Sequence, residues 1–397
     1  MMKNFRRLAC VFIFFLVCGA AWPADFGLIL DQGAGFGGFG SDSSFDYTGM
    51  LIPRFSGFIG DNGDLYVSAG FRFDYPGGFV PELLRTELNF RSGNGVFSAG
   101  RLFYSDPPGF VADGLFDGLR YSLDTDIGSF GMGLFYTGFL YKKRANITMN
   151  SVDLAKSGGD VKYDDFLNTY FAPRRVIAAF DWNHPGINDL VRFSASLLGQ
   201  LDLNESLADG LHTQYLSAKA TIPFSAFTMS LGLCFELAQL ASEFKFALAG
   251  EAEAVIYLPT KIEDQLTITG RYSSGMWDDN PLMAFVPISS KNQGDILKAK
   301  FSGISLVSLN YLARFNKTMA LEGSSTYFFR NDLGTYTAYG NEGYLLGNEF
   351  FARFFWNPFS DLSLNAGAGV FLPSLGNAAP KADLLWRAEL NLILSLY

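Results

Sequence analysis

The segment Leu65–Asp74, LYVSAGFRFD, alternates along its whole length between apolar side chains and polar or small ones. Successive side chains of a β-strand point to opposite faces, so this segment would have one apolar face and one polar face. A strand that crosses a membrane at a tilt needs about 10 residues and shows this alternation. The segment therefore predicts a membrane-spanning strand.

The same alternation recurs in Leu84–Arg91, Phe227–Glu236 and Glu389–Leu396. A half-buried sheet of a soluble protein has this pattern too, so the links between the segments must distinguish such a sheet from a membrane barrel. Tight, turn-rich links alternate with links that are usually longer, as in barrels with short turns at one rim and long loops at the other. The tight links are Gly60–Asp64, Arg91–Gly95, Thr125–Ser129, Asn183–Asp189, Pro223–Ala226, Pro259–Asp264, Phe315–Thr318 and Asn357–Asp361. The longer links are Asp74–Glu82, Ser105–Asp113, Tyr141–Tyr170, Asn204–Gly210, Gln239–Glu243, Ser273–Gly294, Arg330–Glu342 and Pro373–Asp383.

These links predict an all-β fold, a transmembrane antiparallel up-and-down β-barrel of about 18 strands. The count takes Asp25–Leu30 as the first strand and Ile296–Phe315 as a single strand. Gly303 could divide that long run and Pro53 weakens the second strand, so 16 strands is the alternative. An even number places both termini at the short-turn rim. We expect the longest loop, Tyr141–Tyr170, to be a structured or pore-constricting insert.

The composition agrees with a membrane barrel. Hydrophobic residues make up 49% of the 397 residues, and charged residues only 17%, against roughly 25% in soluble domains. No uninterrupted apolar run of helix-spanning length follows the amino-terminal region. The 43 glycines and 41 phenylalanines do not suggest a helical bundle. The mean hydropathy of +0.15 argues against a disordered chain.

The amino end has the pattern of a secretory signal peptide. Lys3, Arg6 and Arg7 precede the apolar stretch Leu8–Val17 and a group of small residues. We expect residues 1–21 to be a cleaved signal and residues 22–397 to be a single barrel domain in the bacterial cell outer membrane. Lipidation at Cys18 is the alternative, and the bulky Val17 disfavours it.

Charge and cysteine usage exclude several classes of function. Loss of residues 1–21 removes three basic residues and leaves 27 basic and 39 acidic residues, a net charge of −12. A nucleic-acid partner is therefore not expected. Cys234 is the one cysteine of the mature chain, and His184 and His212 are the only histidines that could bind a metal ion together with it. No internal disulfide can form, and we expect no zinc site and no cofactor.

Other motifs give weak signals for chemistry. Gly33–Gly38 fits the G-x-G-x-x-G spacing, but a glycine- and serine-rich stretch follows where a dinucleotide site needs a helix. We expect a flexible loop there. Asp164–Asp165 and Asp278–Asn280 could bind Ca²⁺, although acidic loops facing solvent are common. No Ser, His and Asp set has supporting spacing, so we expect no enzymatic activity.

The charged residues on the polar face of the strands are the most informative. If the apolar face meets lipid, 13 basic and 9 acidic side chains point into the lumen. The candidate pore-lining residues are Arg72, Arg85, Arg101, Arg120, Arg192, Arg271, Arg314, Arg353 and Arg387, and the lysines are Lys219, Lys245, Lys298 and Lys300. The acidic ones are Asp74, Glu87, Asp181, Glu236, Glu251, Glu253, Glu322, Glu349 and Glu389. They could be cross-strand ion pairs that brace the barrel, or a path that attracts anions.

Two passages resemble the alginate-export family of 18-stranded outer-membrane channels. The first is Ala99–Arg101 with Phe116–Tyr121, and the second runs from Leu346 to Pro373. The resemblance implies a passive channel for an anionic polymer or a sugar. Barrels of this family usually end in an aromatic residue that points to lipid and acts as an assembly signal. Here the terminal residue is Tyr397, but Leu396 is the residue on the lipid-facing side of the last strand.

We therefore expect an outer-membrane channel for small hydrophilic solutes, with anions or sugars mildly preferred. Its partners would be outer-membrane lipid, these solutes and the barrel-assembly machinery, which would bind the strand ending at Tyr397. The sequence leaves the formation of a homo-oligomer open. One alternative is a transporter for hydrophobic molecules whose lumen is plugged by Phe26–Phe39, with Phe135, Phe351 and Phe355 pointing inward. The other is a non-conducting structural or adhesive barrel.

Overall fold

A computed structural model of the chain describes residues 24–187, 190–204, 210–240, 243–276, 282–289, 291–334, 336 and 343–396. The predicted signal peptide, Asp278–Asn280 and Tyr397 lie outside the described residues. None of the helices within these ranges is long and apolar enough to cross a membrane.

Eighteen strands of the described residues form one antiparallel sheet in which neighbours in the chain are neighbours in the sheet. The sheet closes because β1 (Ala24–Phe39) also pairs with β18 (Leu385–Leu396), with Leu28 opposite Leu396. The predicted up-and-down barrel and its strand number are confirmed. The other strands are β2 Asp42–Ile59, β3 Gly63–Tyr75, β4 Gly78–Ser92, β5 Gly95–Ser105, β6 Asp113–Thr125, β7 Gly128–Tyr136, β8 Arg175–Ile187, β9 Val191–Asp202, β10 Leu211–Pro223, β11 Phe227–Leu240, β12 Glu243–Tyr257, β13 Gln265–Ser273, β14 Ile304–Arg314, β15 Met319–Arg330, β16 Leu345–Phe359 and β17 Leu362–Leu372.

The two faces of the wall follow the alternation of the sequence. On β11, Met229, Leu231 and Leu233 point outward and are about half exposed, whereas Cys234 and Glu236 are buried on the inner side. An apolar outer face suits the hydrocarbon of a membrane, and the polar side chains point into the interior of the barrel.

The first hairpin differs from the prediction. The first strand does not stop near Leu30 but continues through the glycine-rich motif to Phe39, and only Gly40 and Ser41 separate it from β2. Gly40 has φ +59°, which suits such a tight turn. Strand pairing is made by backbone hydrogen bonds and needs no side chains, so the glycines do not prevent β1 from pairing with β2. The segment Phe26–Phe39 is therefore wall and not the plug that the hydrophobic-transporter alternative requires.

Three other boundaries also differ. The run Ile296–Phe315 is a strand only from Ile304, because Lys298 and Gly303, with φ of +49° and +63°, turn the chain before it. The link after β3 is only Pro76–Gly77, far shorter than expected. His184 and Pro185 lie within β8 and not in a turn.

Two long links enter the barrel and fill part of it. The first insert, residues 137–174, contains α1 (Lys142–Ala145), α2 (Ser151–Gly158) and α3 (Phe166–Tyr170). It is the structured insert that the sequence predicts. The second insert, residues 274–303, is described at 274–276, 282–289 and 291–303. It contains a short hairpin of Asn292–Gln293 with Ala299–Lys300.

Both inserts pack against the inner wall in one apolar cluster. Ile147 of the first insert and Ile288 of the second are fully buried there. Tyr215 of the wall contacts Phe285, which contacts Phe301, with ring centroids 6.2 and 6.0 Å apart. A buried phenylalanine of this kind contributes about 2 kcal/mol. The apolar groups inside the barrel therefore hold the inserts, while those outside face lipid.

The turn between β1 and β2 gives a test of the fold. A Cβ on Gly38 would lie 1.7 Å from the carbonyl oxygen of Asp42, whereas a Cβ on Gly199 in β9 would meet no atom within 4 Å. We expect Gly38→Ala to lower the free energy of unfolding by roughly 1–3 kcal/mol, because the hairpin must shift. Gly199→Ala is the matched control and should unfold like the wild type. Thermal unfolding of the protein in detergent measures both, and equal midpoints would contradict the described approach of the two strands.

Candidate functional site

The glycine motif lies on the wall of the lumen and leaves room for charged side chains. A Cβ on Gly35 would lie 2.4 Å from Nη2 of Arg387 and 2.7 Å from Oδ1 of Asp46. Arg387 and Asp46 are joined there by two hydrogen bonds of 2.9 and 3.0 Å. The glycines therefore accommodate an ion pair on the inner wall. No helix follows them to hold a pyrophosphate.

A polar cavity of about 1030 Å³ lies inside the barrel beside β12 to β16. At one end it meets the short-turn rim at Phe315–Thr318, and at the other it meets Asn292–Asp295 of the second insert. Hydroxyl and amide side chains such as Thr267, Thr269 and Asn310 line its wall. Such a lining suits water and hydrophilic solutes.

The cavity carries charges of both signs. Four basic and five acidic side chains line it: Lys261, Arg271, Arg314, Lys317, Glu253, Glu263, Asp295, Glu322 and Glu349. Some of the acids are already engaged, since Glu322 accepts from the Asn310 amide at 2.5 Å and Glu253 accepts from the Thr269 hydroxyl at 3.3 Å. Selectivity in such a cavity depends on which charges are engaged by the protein itself.

Seven of the nine candidate pore-lining arginines form ion pairs. The pairs are Arg72–Asp74 at 2.7 Å, Arg85–Glu87 at 2.5 Å, Arg101–Asp117 at 2.8 Å, Arg120–Asp181 at 3.1 Å, Arg271–Glu251 at 2.7 Å, Arg353–Asp295 at 2.9 Å and Arg387–Asp46 at 2.9 Å. Arg72–Asp74 and Arg85–Glu87 join residues on one strand, whereas the others join different segments. For the five that join different segments, the geometry agrees with bracing of the barrel.

The remaining two arginines, Arg192 and Arg314, are exposed and have no ion pair within the described residues. Arg314 lines the polar cavity together with Arg271, whereas the other candidates lie outside it. The structure thus brings only two of the nine arginines to this cavity. The pore-lining role of the set stays a prediction.

Two of the four lysines predicted to line the wall are on the second insert instead. Lys298 is exposed at a turn of that insert. Lys300 is half-buried, and its ammonium donates to the carbonyl oxygen of Thr148 in the first insert. Lys219 pairs with Glu251 at 3.4 Å, and Lys245 lies 3.9 Å from Glu243.

A buried ion-pair cluster anchors the first insert to the wall. Arg175, at the start of β8, is fully buried and contacts Asp153 of α2 at 2.6 Å and Asp202 of β9 at 3.0 Å. Asp153 also accepts from the backbone N–H of Met149, and Asn150 caps α2 by accepting from the N–H of Asp153. Removing one member of a buried cluster leaves an uncompensated charge, so loss of Arg175 would be costly to the folded state.

Carboxylates of the wall anchor the second insert through its backbone. Glu349 of β16 accepts three backbone N–H groups, those of Asp295, Ile296 and Leu297, at 2.7, 3.0 and 2.9 Å. Glu236 of β11 accepts the N–H of Val286 at 2.8 Å. Both acids were expected to carry charge into the lumen, and the structure uses them to fix the loop that borders the cavity.

A third loop, residues 106–112, is fixed in the same way. Asp106 accepts the backbone N–H groups of Phe110, Val111 and Ala112 at 3.2, 2.8 and 2.8 Å. Burial raises the pKa of Asp106 to about 6 from an ordinary value of 3.8. A carboxyl group whose pKa is raised on folding favours the folded state when protonated, so Asp106 contributes to the stability of the folded state as the pH falls from about 6 toward 4.

Burial also shifts the pKa values of two groups where the inserts meet. It lowers the pKa of Lys300 to about 8, although the charges of Asp153 and Glu236 oppose the shift. It raises the pKa of Asp153, against the effect of Arg175. Two ionisable groups with shifted pKa values therefore lie where the two inserts meet.

A continuous chain of ion pairs runs from the wall to the second insert. Asp46 pairs with Arg387, Arg387 lies 3.4 Å from Glu389, and Glu389 lies 2.9 Å from Arg353. Arg353 in turn contacts Asp295 of the insert at 2.9 Å. The guanidinium of Arg353 also lies 4.9 Å above the ring of Phe351.

The other candidate residues are buried, hydrogen-bonded or at the border of the cavity. Phe135 and Phe351 are buried in the inner apolar cluster, and Phe355 borders the polar cavity. Cys234 is a buried free thiol. His212, the second residue of β10, accepts the N–H of Asp202 through Nδ1. Within the described ranges, no three His, Cys, Asp or Glu residues are grouped to hold a metal ion.

Sequence reasoning missed Arg175 and Arg144. Arg144 belongs to the first insert and pairs with the buried Glu82 of β4. The alternation of strand residues does not predict either arginine, since Arg175 is the first residue of its strand and Arg144 lies in α1. The only signal was the presence of basic residues at both ends of the long loop, Lys142–Arg144 and Arg174–Arg175.

No protein-family model matches the chain, and no curated protein matches it in sequence. Solved structures do match in fold. OccK2 (OpdF) of Pseudomonas aeruginosa has a TM-score of 0.64 and 12% identity, covering 94% of this chain and 98% of its own. The structure of OccK2 in complex with glucuronate has a TM-score of 0.65 with the same identity and coverage. P. aeruginosa OprD has a TM-score of 0.61 and 15% identity, with 94% and 95% coverage.

At these identities the similarity shows a shared fold, a closed β-barrel that spans nearly the full length of both chains. It does not support the specific resemblance to the alginate-export family.

The Arg175 cluster predicts a large effect of a single substitution. Arg175→Met should lower the free energy of unfolding by about 3–5 kcal/mol, because Asp153 and Asp202 would remain buried without their partner. Lys143→Met is the control, since Lys143 pairs with the exposed Asp160 and the change should leave unfolding unaltered. Urea unfolding of the two variants in detergent provides the comparison. Similar losses in both would contradict the anchoring role of Arg175.

Glu349 predicts a local effect on the second insert. Glu349→Ala removes the acceptor of three N–H groups, so trypsin should cleave after Lys298 or Lys300 roughly tenfold faster. Glu322→Ala is the matched control, because Glu322 lines the same cavity without bonding to the insert. Mass spectrometry of the fragments identifies the cleavage sites. Equal cleavage rates in the two variants would show that Glu349 does not hold this segment.

Proposed function

We propose that the chain is an outer-membrane channel for the passive passage of small hydrophilic solutes, with a mild preference for anions or sugars. The observation that carries the proposal is the polar cavity inside a closed 18-stranded barrel. Barrels of 16–18 strands are wide enough for an aqueous path, unlike those of eight. Two inserts narrow this barrel, and this favours small solutes over the polymer that the alginate-export resemblance implies.

Two further observations support the proposal. The similar structures include one described as an outer membrane protein, OpdK of P. aeruginosa, and one that holds glucuronate, which is both a sugar and an anion. In this chain, Arg192 and Arg314 have no carboxylate partner among the described residues and could attract anions. We propose no enzymatic role.

The proposal includes the route of the protein to the membrane. Residues 1–21 would direct export and be removed, and residues 22–397 would form the barrel. The strand ending at Tyr397 would be recognised by the barrel-assembly machinery. Its outer face would contact outer-membrane lipid, and a homo-oligomer is compatible with this location.

A non-conducting structural barrel is the second candidate. It is favoured by the apolar cluster with which the inserts fill part of the lumen. The two candidates differ in whether the polar cavity connects with the opposite rim, and a transport measurement separates them.

Transport by the purified protein in liposomes tests the proposal. Liposomes with the protein should swell in pentoses and hexoses and progressively less in larger sugars, because the inserts limit the path. Protein-free liposomes are the control. In planar bilayers, a potassium chloride gradient should give a reversal potential of the sign that anion preference requires. Absence of both swelling and current would favour the structural barrel, and cation preference would contradict the anionic part of the proposal.

A further inference from the structure

Arg353 has two carboxylate partners of different origin. It lies on the inner face of β16, between Phe351 in the apolar cluster and Phe355 at the polar cavity. Its guanidinium is 2.9 Å from Glu389 of β18 and 2.9 Å from Asp295 of the second insert. One partner therefore belongs to the rigid wall and the other to a loop inside the lumen.

The loop partner is the more exposed of the two. The Asp295 side chain is 39% exposed, against 18% for Glu389, and Asp295 lines the polar cavity. Glu389 also contacts Arg387, which is itself paired with Asp46. Arg353 itself lies just outside the cavity, so a solute in the cavity would reach it from the side that carries Asp295.

The position of the loop does not depend on the Asp295 carboxylate. Glu349 holds the backbone N–H of Asp295 and the two N–H groups that follow it. The carboxylate can therefore leave Arg353 by side-chain rotation while the backbone stays in place. A partly exposed ion pair is weak enough for such an exchange.

We propose that Asp295 is a tethered competitor, an internal carboxylate that occupies the anion site of Arg353 until a solute anion displaces it. The inference rests on the proposed function and deepens it, since it names the residue that binds the anion and the group that regulates it. A guanidinium presents several donors in one plane and binds carboxylates in a defined geometry. Competition by Asp295 keeps the solute from binding too tightly, and conduction requires that a bound solute can leave.

Substitutions at the two residues test the competition. In planar bilayers with a potassium chloride gradient, Asp295→Asn should raise the chloride-to-potassium permeability ratio roughly threefold. The concentration of gluconate that halves the chloride current should fall by a similar factor. Asp295→Ala is a second variant with the same expected result. Asp74→Asn is the matched control, because it also removes a lumen carboxylate paired with an arginine, but both members of that pair, Arg72 and Asp74, lie on β3 and outside the ion-pair chain of Arg353.

A double variant separates competition from a general effect of charge. In the Arg353→Gln background, Asp295→Asn should change neither the permeability ratio nor the gluconate concentration, because the contested site is gone. An equal change in that background, an equal change in Asp74→Asn, or no change in Asp295→Asn would overturn the inference while a conducting wild type upholds the channel. A wild type that does not conduct would overturn the channel and the inference together.

Discussion

A strand in the hydrocarbon of a membrane must have all its backbone N–H and C=O groups bonded within the protein, because no water is present to bond them. Pairing of β1 with β18 meets this condition by removing the two free edges of the sheet. The alternation of side chains follows from the same constraint, since one face of every strand must then meet lipid and the other a closed interior. The polar cavity and the inserts exist only because that interior is shielded.

Inside the wall a similar need arises, since the irregular loops have backbone N–H groups that no neighbouring strand bonds. The structure repeatedly places a carboxylate against such groups. Asp106, Asp153, Glu236 and Glu349 each accept one or more backbone N–H groups of a loop within the lumen. The acidic side chains thus fix the shape of the path, and only part of their charge is available to a solute.

The alternation and the spacing of turns were sufficient to predict the barrel, its strand number and a structured insert. Prediction failed where tertiary contacts override local pattern. The run Ile296–Phe315 was predicted to be a single strand, yet Ile296 and Phe301 belong to the second insert and are buried in the inner cluster. The ion pairs were anticipated as a class, but partners such as Arg387 and Asp46 are 341 residues apart, and strand parity alone cannot match them. Arg175 was missed because it begins its strand.

The pairing of the first strand with the last has a consequence for the order of folding. Contacts between residues so far apart in the chain are slow to form, because a very large loop must be closed first. During synthesis and insertion, β1 therefore has one unpaired edge until β18 arrives, and an exposed edge invites pairing with another chain. β2, at 18 residues, follows after a two-residue turn and covers the opposite edge of β1 from Ala24 to Phe39. The long first hairpin thus leaves a single open seam at the amino-terminal side of the nascent sheet, and completion of the barrel is the event that seals it.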